Sequence, residues 1–515
     1  MTGVQTFALP IYGEIAAGER ISAAPRLANL RLETADGANL TCGAPERFEV
    51  ESNGAVRAVV RWSGPLVDDA GRPGWAYVIR ATLFAGLPEM RLSVTVINDN
   101  PEPKYREGTG LALRVPLEGK GGITGALGGD APAVPGGDEG IWLLQQDERR
   151  SRLWREEGPK DRRVAGVAVA ADKTSRVMVA MRDFWKAYPS GFAVKPDGLH
   201  VRLLAPLPGD FCDDADEVER LRLFGWCRDG RYIFKAGQPV QKEIVVRFGP
   251  ADDAVDPVAF ASWADSPLLP QAPAEYLCRS GLLSREIFPK TAGIWDQYES
   301  FFEEGFQASL KDRDKQRTWG WMHFGDWFGE RLLNYGNNEY DMSWAMALQW
   351  ARTGDRRYLD RGIEMARHHS TIDTVHGAFS DGWNGLVYEH SFNHVGIGIA
   401  RDDPRMAEGL LAKYVAEYGG MLGGAIDRQG HVFQPGNWIC AALTGDGWLR
   451  EVAERVCDNQ AVRLTPAFDF TIERGGGWPI INMAMAHHFS GDPFYLNAAR
   501  IMVERALQRQ DPESG

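Results

Sequence analysis

The stretch that decides the fold is "ARTGDRRYLDRGIEMA" (residues 351–366), in which a T-G-D turn joins an apolar helical pattern to an amphipathic one. Gly354 suits the end of the first helix, where the backbone needs a permissive φ. Asp355 suits the N-cap of the next helix, where its carboxylate accepts free backbone N–H groups. In that second helix, Leu359 and Ile363 lie on one apolar stripe among charged residues. The stretch therefore predicts a helical hairpin closed by a short turn.

The same pattern recurs along the chain. Clear copies are "ALTGDGWLREVAERV" (442–456) and "HFSGDPFYLNAARIMV" (488–503), in which Asp446 and Asp492 take the place of the first aspartate. A degenerate copy, "IARDDPRMAEGLLAKYV" (399–415), offers Asp402 or Asp403 as the N-cap. The copies are about 45 residues apart, which is the length of one helical hairpin in a repeat array.

The two helices of each hairpin differ in their apolar surface. The first is apolar nearly all round, as in "GGWPIINMAMAHHF" (476–489), and such a helix is buried on both sides. Inner buried helices that alternate with outer amphipathic ones predict an α/α toroid over residues 296–515. A complete (α/α)6 toroid needs twelve helices, whereas about nine are predicted here. We therefore expect an incomplete toroid whose C-terminal helices are missing.

The first half of the chain has a different pattern. Between residues 12 and 262, runs such as "VRAVVRW" (56–62) and "EMRLSVTVIND" (89–99) are separated by Gly, Pro and Asp clusters, which is typical of strands. Many strands without intervening helices predict a large antiparallel β-sandwich, followed by a linker at 263–295. Residues 1–11 resemble translated sequencing-adapter DNA and are interpreted as a non-native artefact.

Composition excludes some classes of function. The chain has 515 residues and a formal net charge of −13, which disfavours nucleic-acid binding because that binding depends on neutralising phosphates. It contains no run of eighteen apolar residues, so no membrane span is expected. The six cysteines have no zinc-ligand spacing.

The unusual chemistry lies in the long connections of the helical region. "GWMHFGDWFGERLLNYGNNEYD" (320–341) is rich in aromatic and hydrogen-bonding side chains and lacks a regular period. Functional loops on a rigid scaffold collect at one end of it, so we interpret these connections as the wall of a sugar-binding cleft. The alternative is that the aromatic residues only fill the entrance of the toroid. The predicted substrate-binding residues are Trp321, His323, Asn338, Glu339, Asn393, Gln434 and Trp478.

Three features together resemble a known family. "WGWMHFGDWFGERLLNYGNNEYD" (319–341), "YEHSFNHVG" (388–396) and the T/S-G-D hairpins resemble the toroid domain of exo-rhamnogalacturonan lyases of polysaccharide lyase family 26 and their bacterial YetA-like relatives. The β region resembles the central β-sandwich that precedes this toroid. The resemblance implies β-elimination on a 4-linked galacturonosyl unit, with an anionic polysaccharide or oligosaccharide as substrate.

This chemistry makes three demands, for which the sequence offers candidates. A base must remove the C5 proton, and His390 or His394 suits this role because an imidazole titrates near neutral pH. An acid must protonate the leaving oxygen, and Tyr340 is the candidate for the acid or for a combined acid and base. Arg474 can neutralise the uronate carboxylate with a bidentate fork. The alternative roles are packing for the histidines and the tyrosine, and an ion pair for the arginine.

No metal or other cofactor is predicted. His390 and His394 have the spacing of a zinc-binding pair, but the sequence is not H-E-x-x-H and supplies no clear third ligand. Calcium is left open because oxygen ligands are plentiful.

Two other functions are kept as alternatives. The first is an inverting glycoside hydrolase of the toroid type, which needs two carboxylates with water between them. Its candidate carboxylates are Asp326, Glu330, Glu339, Asp341 and Glu389. The second is a non-catalytic glycan-binding protein, in which the histidine, tyrosine and arginine residues would be scattered.

Overall fold

The fold is taken from a computed structural model of the chain. It describes residues 30–117, 122–136, 139–283, 287–330, 334–377, 382–392, 394, 426–427, 429–468 and 473–513. The suspected artefact at 1–11, the degenerate hairpin at 399–415 with Asp402 and Asp403, and the candidate Asn393 lie outside these residues.

The described residues divide into two compact units. The first comprises Met1–Asp214 with Cys227–Pro267, and the second comprises Ala215–Trp226 with Leu268–Gly515. The first unit is a β structure and the second is mainly helical.

The strands of the first unit are β1 (Leu30–Thr34), β2 (Asn39–Cys42), β3 (Arg47–Asn53), β4 (Arg57–Val67), β5 (Pro73–Phe84), β6 (Glu89–Ile97), β7 (Tyr105–Pro116), β8 (Thr124–Leu127), β9 (Ile141–Gln145), β10 (Arg150–Leu153), β11 (Lys160–Asp161), β12 (Val167–Ala171), β13 (Ser175–Met181), β14 (Ser190–Lys195), β15 (Gly198–Leu204), β16 (Cys227–Arg228), β17 (Arg231–Lys235) and β18 (Pro239–Pro250). All the pairings described among them are antiparallel.

Most of these strands form two series of hydrogen-bonded neighbours, which we call ladders. One runs β3-β4-β5-β6-β18-β13-β12-β8, and the other runs β11-β10-β9-β14-β15-β7-β1-β2. Strand β2 also pairs with β4 and so joins the ladders. Along β4 and β5, buried residues alternate with less buried ones over part of each strand, as expected where one face of a sheet covers a core. The predicted antiparallel β-sandwich is confirmed.

The helices are α1 (Glu217–Phe224), α2 (Pro257–Asp265), α3 (Ala274–Ser280), α4 (Asp296–Lys315), α5 (Met342–Thr353), α6 (Arg356–Thr371), α7 (Pro435–Thr444), α8 (Gly447–Ala467), α9 (Glu473–Ser490) and α10 (Pro493–Arg509). Helix α2 belongs to the first unit and the others to the second. The second unit also has the short strands β19 (Phe328–Glu330), β20 (Asn334–Tyr335), β21 (Val387–Tyr388) and β22 (Ile426–Asp427). No helix of the described residues has the length and apolar character that a membrane span requires.

The predicted T/S-G-D turns are confirmed in the hairpins α5–α6, α7–α8 and α9–α10. Gly354 ends α5 with φ 73°, a left-handed conformation that glycine adopts without a Cβ penalty. Asp355 then accepts a hydrogen bond from Arg357 N at the start of α6. Asp446 and Asp492 cap α8 and α10 in the same way.

Apolar packing joins the hairpins. Trp350 of α5, Leu359 of α6 and Ile439 of α7 are buried in one cluster. Met483 of α9 and Met502 of α10 are buried in a second cluster. Because the T/S-G-D turns lie at one end of each hairpin, the long connections lie at the other end, where the candidate site residues are found.

Candidate functional site

The segment before α5 has an unusual backbone. Asn337, Asn338, Tyr340 and Asp341 all have positive φ, between 47° and 58°. Asparagine and aspartate tolerate this left-handed conformation, whereas for a bulky residue such as tyrosine it is an outlier that costs on the order of 1–3 kcal/mol. Strained backbone of this kind is concentrated at functional sites, so the side chains of this segment are candidates for a function.

Hydrogen bonds at both ends hold the segment in place. The side-chain Nδ2 of Asn337 donates to the backbone carbonyls of Tyr388, Glu389 and His394 at 3.0–3.2 Å. At the other end, Asp341 accepts from Ser343 Oγ at 2.7 Å. Burial raises the pKa of Asp341, although hydrogen bonds to its carboxylate, such as the one from Ser343, oppose the shift.

The exposed part of the site is built around Tyr340 and Arg474. The side chain of Tyr340 is 61% exposed, and its hydroxyl accepts a hydrogen bond from Arg474 Nη1 at 3.3 Å. The same Nη1 donates to Glu339 Oε1 at 2.8 Å. Phe433 lies 6.3 Å from the Tyr340 ring and packs edge-on against Trp478 at 4.7 Å. A phenol, a guanidinium and aromatic surface are therefore close together at this place.

A carboxylate–imidazole pair lies beside them. His431 Nδ1 donates to Asp427 Oδ2 at 2.8 Å, so this nitrogen carries the proton and Nε2 is the basic nitrogen of the neutral ring. Nε2 lies 3.9 Å from Glu339 Oε2. Burial alone would raise the pKa of Asp427, but hydrogen bonds from the His431 side chain and from Gln429 N outweigh burial and lower it to about 2.

His390 completes this cluster. Its ring centroid lies 5.0 Å from that of His431, and its Nδ1 lies 3.2 Å from Glu330 Oε2. Glu389 Oε1 lies 3.8 Å from His431 Nδ1. We call these residues the rim cluster: Glu330, Glu339, Tyr340, Glu389, His390, Asp427, His431 and Arg474. The structure thus brings together three of the four predicted catalytic residues.

His394, the fourth, lies in a different environment. It is 0% exposed, and its Nδ1 lies 3.1 Å from Asn337 Oδ1 and 3.2 Å from His368 Nε2. Asp326 Oδ2 and Asp373 Oδ1 lie 3.4 and 3.6 Å from the same nitrogen. We call Asp326, Asn337, His368, Asp373 and His394 the buried cluster.

Electrostatics in the buried cluster follow from its carboxylates. Burial lowers the pKa of His394, but hydrogen bonds and charge from Asp326 and Asp373 outweigh burial and raise it. Burial would raise the pKa of Asp373, but His368 and its other imidazole neighbours hold it well below its usual range. Burial also lowers the pKa of His323, which therefore stays neutral.

The other predicted binding residues differ in how far they are buried and in what they contact. Trp321 is buried edge-on against Trp226, 5.7 Å between ring centroids, and His323 is buried 2.9 Å from His394 Nε2. Asn338 accepts from Ser343 N, and Gln434 is buried where Asn482 accepts from its backbone N–H. Among the predicted binding residues that the structure describes, Glu339 accepts from the guanidinium that contacts the Tyr340 hydroxyl, and the half-buried Trp478 packs against Phe433.

Prediction from sequence missed His431 and Asp427. Both lie in "DRQGHVFQPGNW" (427–438), one of the long connections, and a carboxylate four residues before a histidine was the available signal. Two sets of side chains in the described part of the chain have the spacing to hold a metal in the rim cluster, Glu339–His390–His431 and Glu389–Asp427–His431, and one set lies in the buried cluster, Asp326–His368–His394.

Comparison with protein families gives one match. Residues 31–121 match the family model of the PcRGLX-like protein central beta sandwich domain. This match supports the predicted relationship with rhamnogalacturonan lyases and suggests a carbohydrate-active enzyme. Comparison with curated proteins gave no match.

Solved structures similar to this chain are distant. A protein from Synechocystis sp. PCC 6803 is 12% identical with a TM-score of 0.22, over 39% of this chain and 65% of that one. A GH36 α-galactosidase from Geobacillus stearothermophilus is 10% identical with a TM-score of 0.22, over 44% and 30%. An α-galactosidase from Lactobacillus brevis is 8% identical with a TM-score of 0.23, over 52% and 32%. The chain thus spans less than two thirds of each of these proteins.

Proposed function

We propose that this protein is a polysaccharide lyase that cleaves a uronic-acid-containing polysaccharide of the rhamnogalacturonan type by β-elimination, and that the rim cluster is its active site. The observation that carries the proposal is the exposed Tyr340 on strained backbone, with its hydroxyl 3.3 Å from Arg474 Nη1. The family match of the β-sandwich supports the substrate class.

Each demand of β-elimination has a candidate group in the rim cluster. Arg474 neutralises the uronate carboxylate, which acidifies the C5 proton and stabilises the enolate-like transition state. Both of its described hydrogen bonds use Nη1, so the fork has further N–H groups to offer a carboxylate. Tyr340 gives its phenolic proton to the leaving oxygen at C4.

The base must be a different group from the acid. In a galacturonosyl unit, the C5 proton and the C4 oxygen leave from opposite faces of the ring. His431 is the preferred base, because its Nδ1 donates to Asp427 and leaves Nε2, 3.9 Å from Glu339 Oε2, as the basic nitrogen, and because its side chain is 12% exposed. His390, the base predicted from sequence, is the neighbouring imidazole and a second candidate. His394 is fully enclosed and is assigned no proton transfer with the substrate.

A glycoside hydrolase is the second candidate function. The observation in its favour is that Glu339 and Glu389 both approach His431, within 3.9 and 3.8 Å. A hydrolase needs one carboxyl group that can act as an acid, whereas Glu339 forms an ion pair with Arg474 at 2.8 Å. The arrangement around Glu339 therefore supports the lyase over the hydrolase.

The test is incubation with rhamnogalacturonan, recording the ultraviolet absorbance of the conjugated double bond and, in parallel, the reducing ends. We expect unsaturated products from the wild type, a loss of about 10²-fold or more in kcat for Tyr340→Phe, and a raised KM with lowered kcat for Arg474→Lys. Trp154→Phe, at an exposed position of the first unit, is the matched control with unchanged rates. Saturated reducing sugars alone would establish the hydrolase, and binding without turnover would establish a glycan-binding protein.

A further inference from the structure

We infer that the buried cluster is a closed site for one divalent transition-metal ion, for which zinc is the best match, with Asp326, His368 and His394 as ligands and Asp373 beside them. This inference is independent of the proposed activity, because it concerns a different set of side chains. The histidine ring nitrogens and the carboxylate and amide oxygens of the buried cluster face one another inside the second unit.

The hydrogen-bond partners of His323 and His394 show which of their ring nitrogens carry protons. His323 Nε2 lies 2.9 Å from the backbone carbonyl of Leu223, which can only accept, so this nitrogen carries a proton. The neutral His323 then has a lone pair on Nδ1, which lies 2.9 Å from His394 Nε2. His394 Nε2 therefore donates, and the remaining nitrogen, Nδ1, is the one that faces the buried cluster, where a proton or a metal ion can occupy it.

The second step gives the same result for His368. Its Nδ1 lies 3.2 Å from the carbonyl of Phe324, so Nδ1 carries the proton. Its Nε2 lone pair then faces His394 Nδ1 at 3.2 Å and Asp373 Oδ1 at 3.1 Å. Histidines that bind metal are oriented in this way, with the other ring nitrogen donating to a carbonyl or a similar group.

The third step concerns the oxygen atoms. Asp326 Oδ2 accepts from Asn337 N at 2.9 Å, and Asp373 Oδ2 lies 3.3 Å from His369 Nδ1. The side-chain Nδ2 of Asn337 donates to three backbone carbonyls. The other polar atom of this side chain, Oδ1, therefore faces His394 Nδ1. The carboxylates and the amide are thus held by other groups while their oxygens face the imidazole lone pairs.

Nitrogen and oxygen atoms this close together repel one another unless protons or a cation lie between them. The donor atoms of His368, His394 and Asp326 are separated by 3.2, 3.4 and 3.9 Å. Ligand atoms around a tetrahedral zinc ion with bonds of about 2.0–2.2 Å are separated by about 3.3–3.6 Å, and the mean of the three separations lies within this range. The carboxylates of Asp326 and Asp373 carry a charge of about −2, which one divalent ion balances.

The burial of the side chains indicates whether the metal would be structural or catalytic. The five side chains of the buried cluster are between 0 and 4% exposed. A catalytic metal keeps an open coordination position, whereas a structural metal is enclosed by protein groups. The ion is therefore structural, is acquired on folding, and holds the loops that carry Asn337 and His394 to helix α6.

The experiment measures metal content. The full chain is purified with a tag that does not bind metal, dialysed, and analysed by plasma mass spectrometry, before and after refolding with zinc alone. We expect about one ion per chain in the wild type and about none in Asp326→Asn and His368→Asn. The second substitution keeps a donor for the Phe324 carbonyl while it removes the ligand atom. His376→Asn removes a buried histidine of the same unit outside the cluster and is expected to keep the ion.

Cobalt substitution gives a second measurement, which in the wild type does not depend on how well the ligand variants fold. Cobalt in a tetrahedral site of nitrogen and oxygen ligands gives visible absorption bands, which we expect for the wild type and for His376→Asn. A wild type that holds no ion after refolding with zinc would overturn the inference. So would an ion that survives His368→Asn but is lost in His390→Asn, because it would then belong to the rim cluster.

Discussion

Replacing Asp427 by asparagine is predicted to destabilise the protein and to disable the proposed base. Asp427 Oδ2 accepts from His431 Nδ1 at 2.8 Å, and Oδ1 accepts from Gln429 N at 2.7 Å. These bonds lower the pKa of the carboxyl from 3.8 to about 2 in spite of its burial. A difference of roughly two pKa units corresponds to about 2 kcal/mol of folding free energy at neutral pH.

The sign of the pH dependence follows from the direction of the shift. The folded pKa is below the unfolded one, so the contribution is fully present above the unfolded value and is lost as the pH falls through the folded value. The difference in unfolding free energy between wild type and Asp427→Asn should be constant from pH 7 to 5, and about half of it should remain near pH 3. Urea unfolding at several pH values measures it.

The control and the functional readout separate two roles of Asp427. Asp360→Asn, at an exposed ion pair with Arg356, should change the unfolding free energy by less than about 0.5 kcal/mol. Asp427→Asn should also lower kcat by about 10²-fold or more, because the asparagine amide favours the wrong tautomer of His431. An equal stability difference at pH 7 and pH 3, or none at either, would refute the reasoning.

Two further predictions concern the helical unit. Asp492→Ala removes the hydrogen bond that Phe494 N donates at 2.8 Å and should cost about 1 kcal/mol, whereas Asp492→Asn should restore most of it; equal urea midpoints for the two variants would contradict the capping role. Met502→Ala leaves a cavity at a side chain that is 0% exposed and should cost about 2–5 kcal/mol by the same assay, while Leu507→Ala, 60% exposed in the same helix, should cost less than about 1 kcal/mol.

The hairpins could be predicted from the sequence because their signals are local. Gly354 and Asp355 meet the needs of a helix end and a helix start within two residues, and those needs do not depend on the rest of the fold. The β-sandwich could be predicted for the same reason, from period-two runs between turn residues. How the ladders connect, as at the β2–β4 pairing, depends on contacts distant in sequence and could not be predicted.

The site was only partly predictable because side-chain direction depends on tertiary structure. His390 and His394 are four residues apart and would share one face of a helix. The described residues from 387 to 394 contain no helix, and His394 has φ 63°, so the two side chains reach different clusters. His431 was missed because a histidine in a loop has no periodic signal; its role follows only from the carboxylate it meets.

The two clusters are joined by the strained segment, and this connection links stability to the proposed chemistry. Asn337 directs its oxygen into the buried cluster, while Tyr340, three residues later, presents its hydroxyl to Arg474. A left-handed tyrosine persists only if its surroundings stabilise it by more than the strain costs. If the buried cluster holds an ion, removing that ion should relax the segment and reduce kcat, although neither the ion nor its ligands touch the substrate. A metal-free protein with full activity would show that hydrogen bonds alone hold Tyr340 in place.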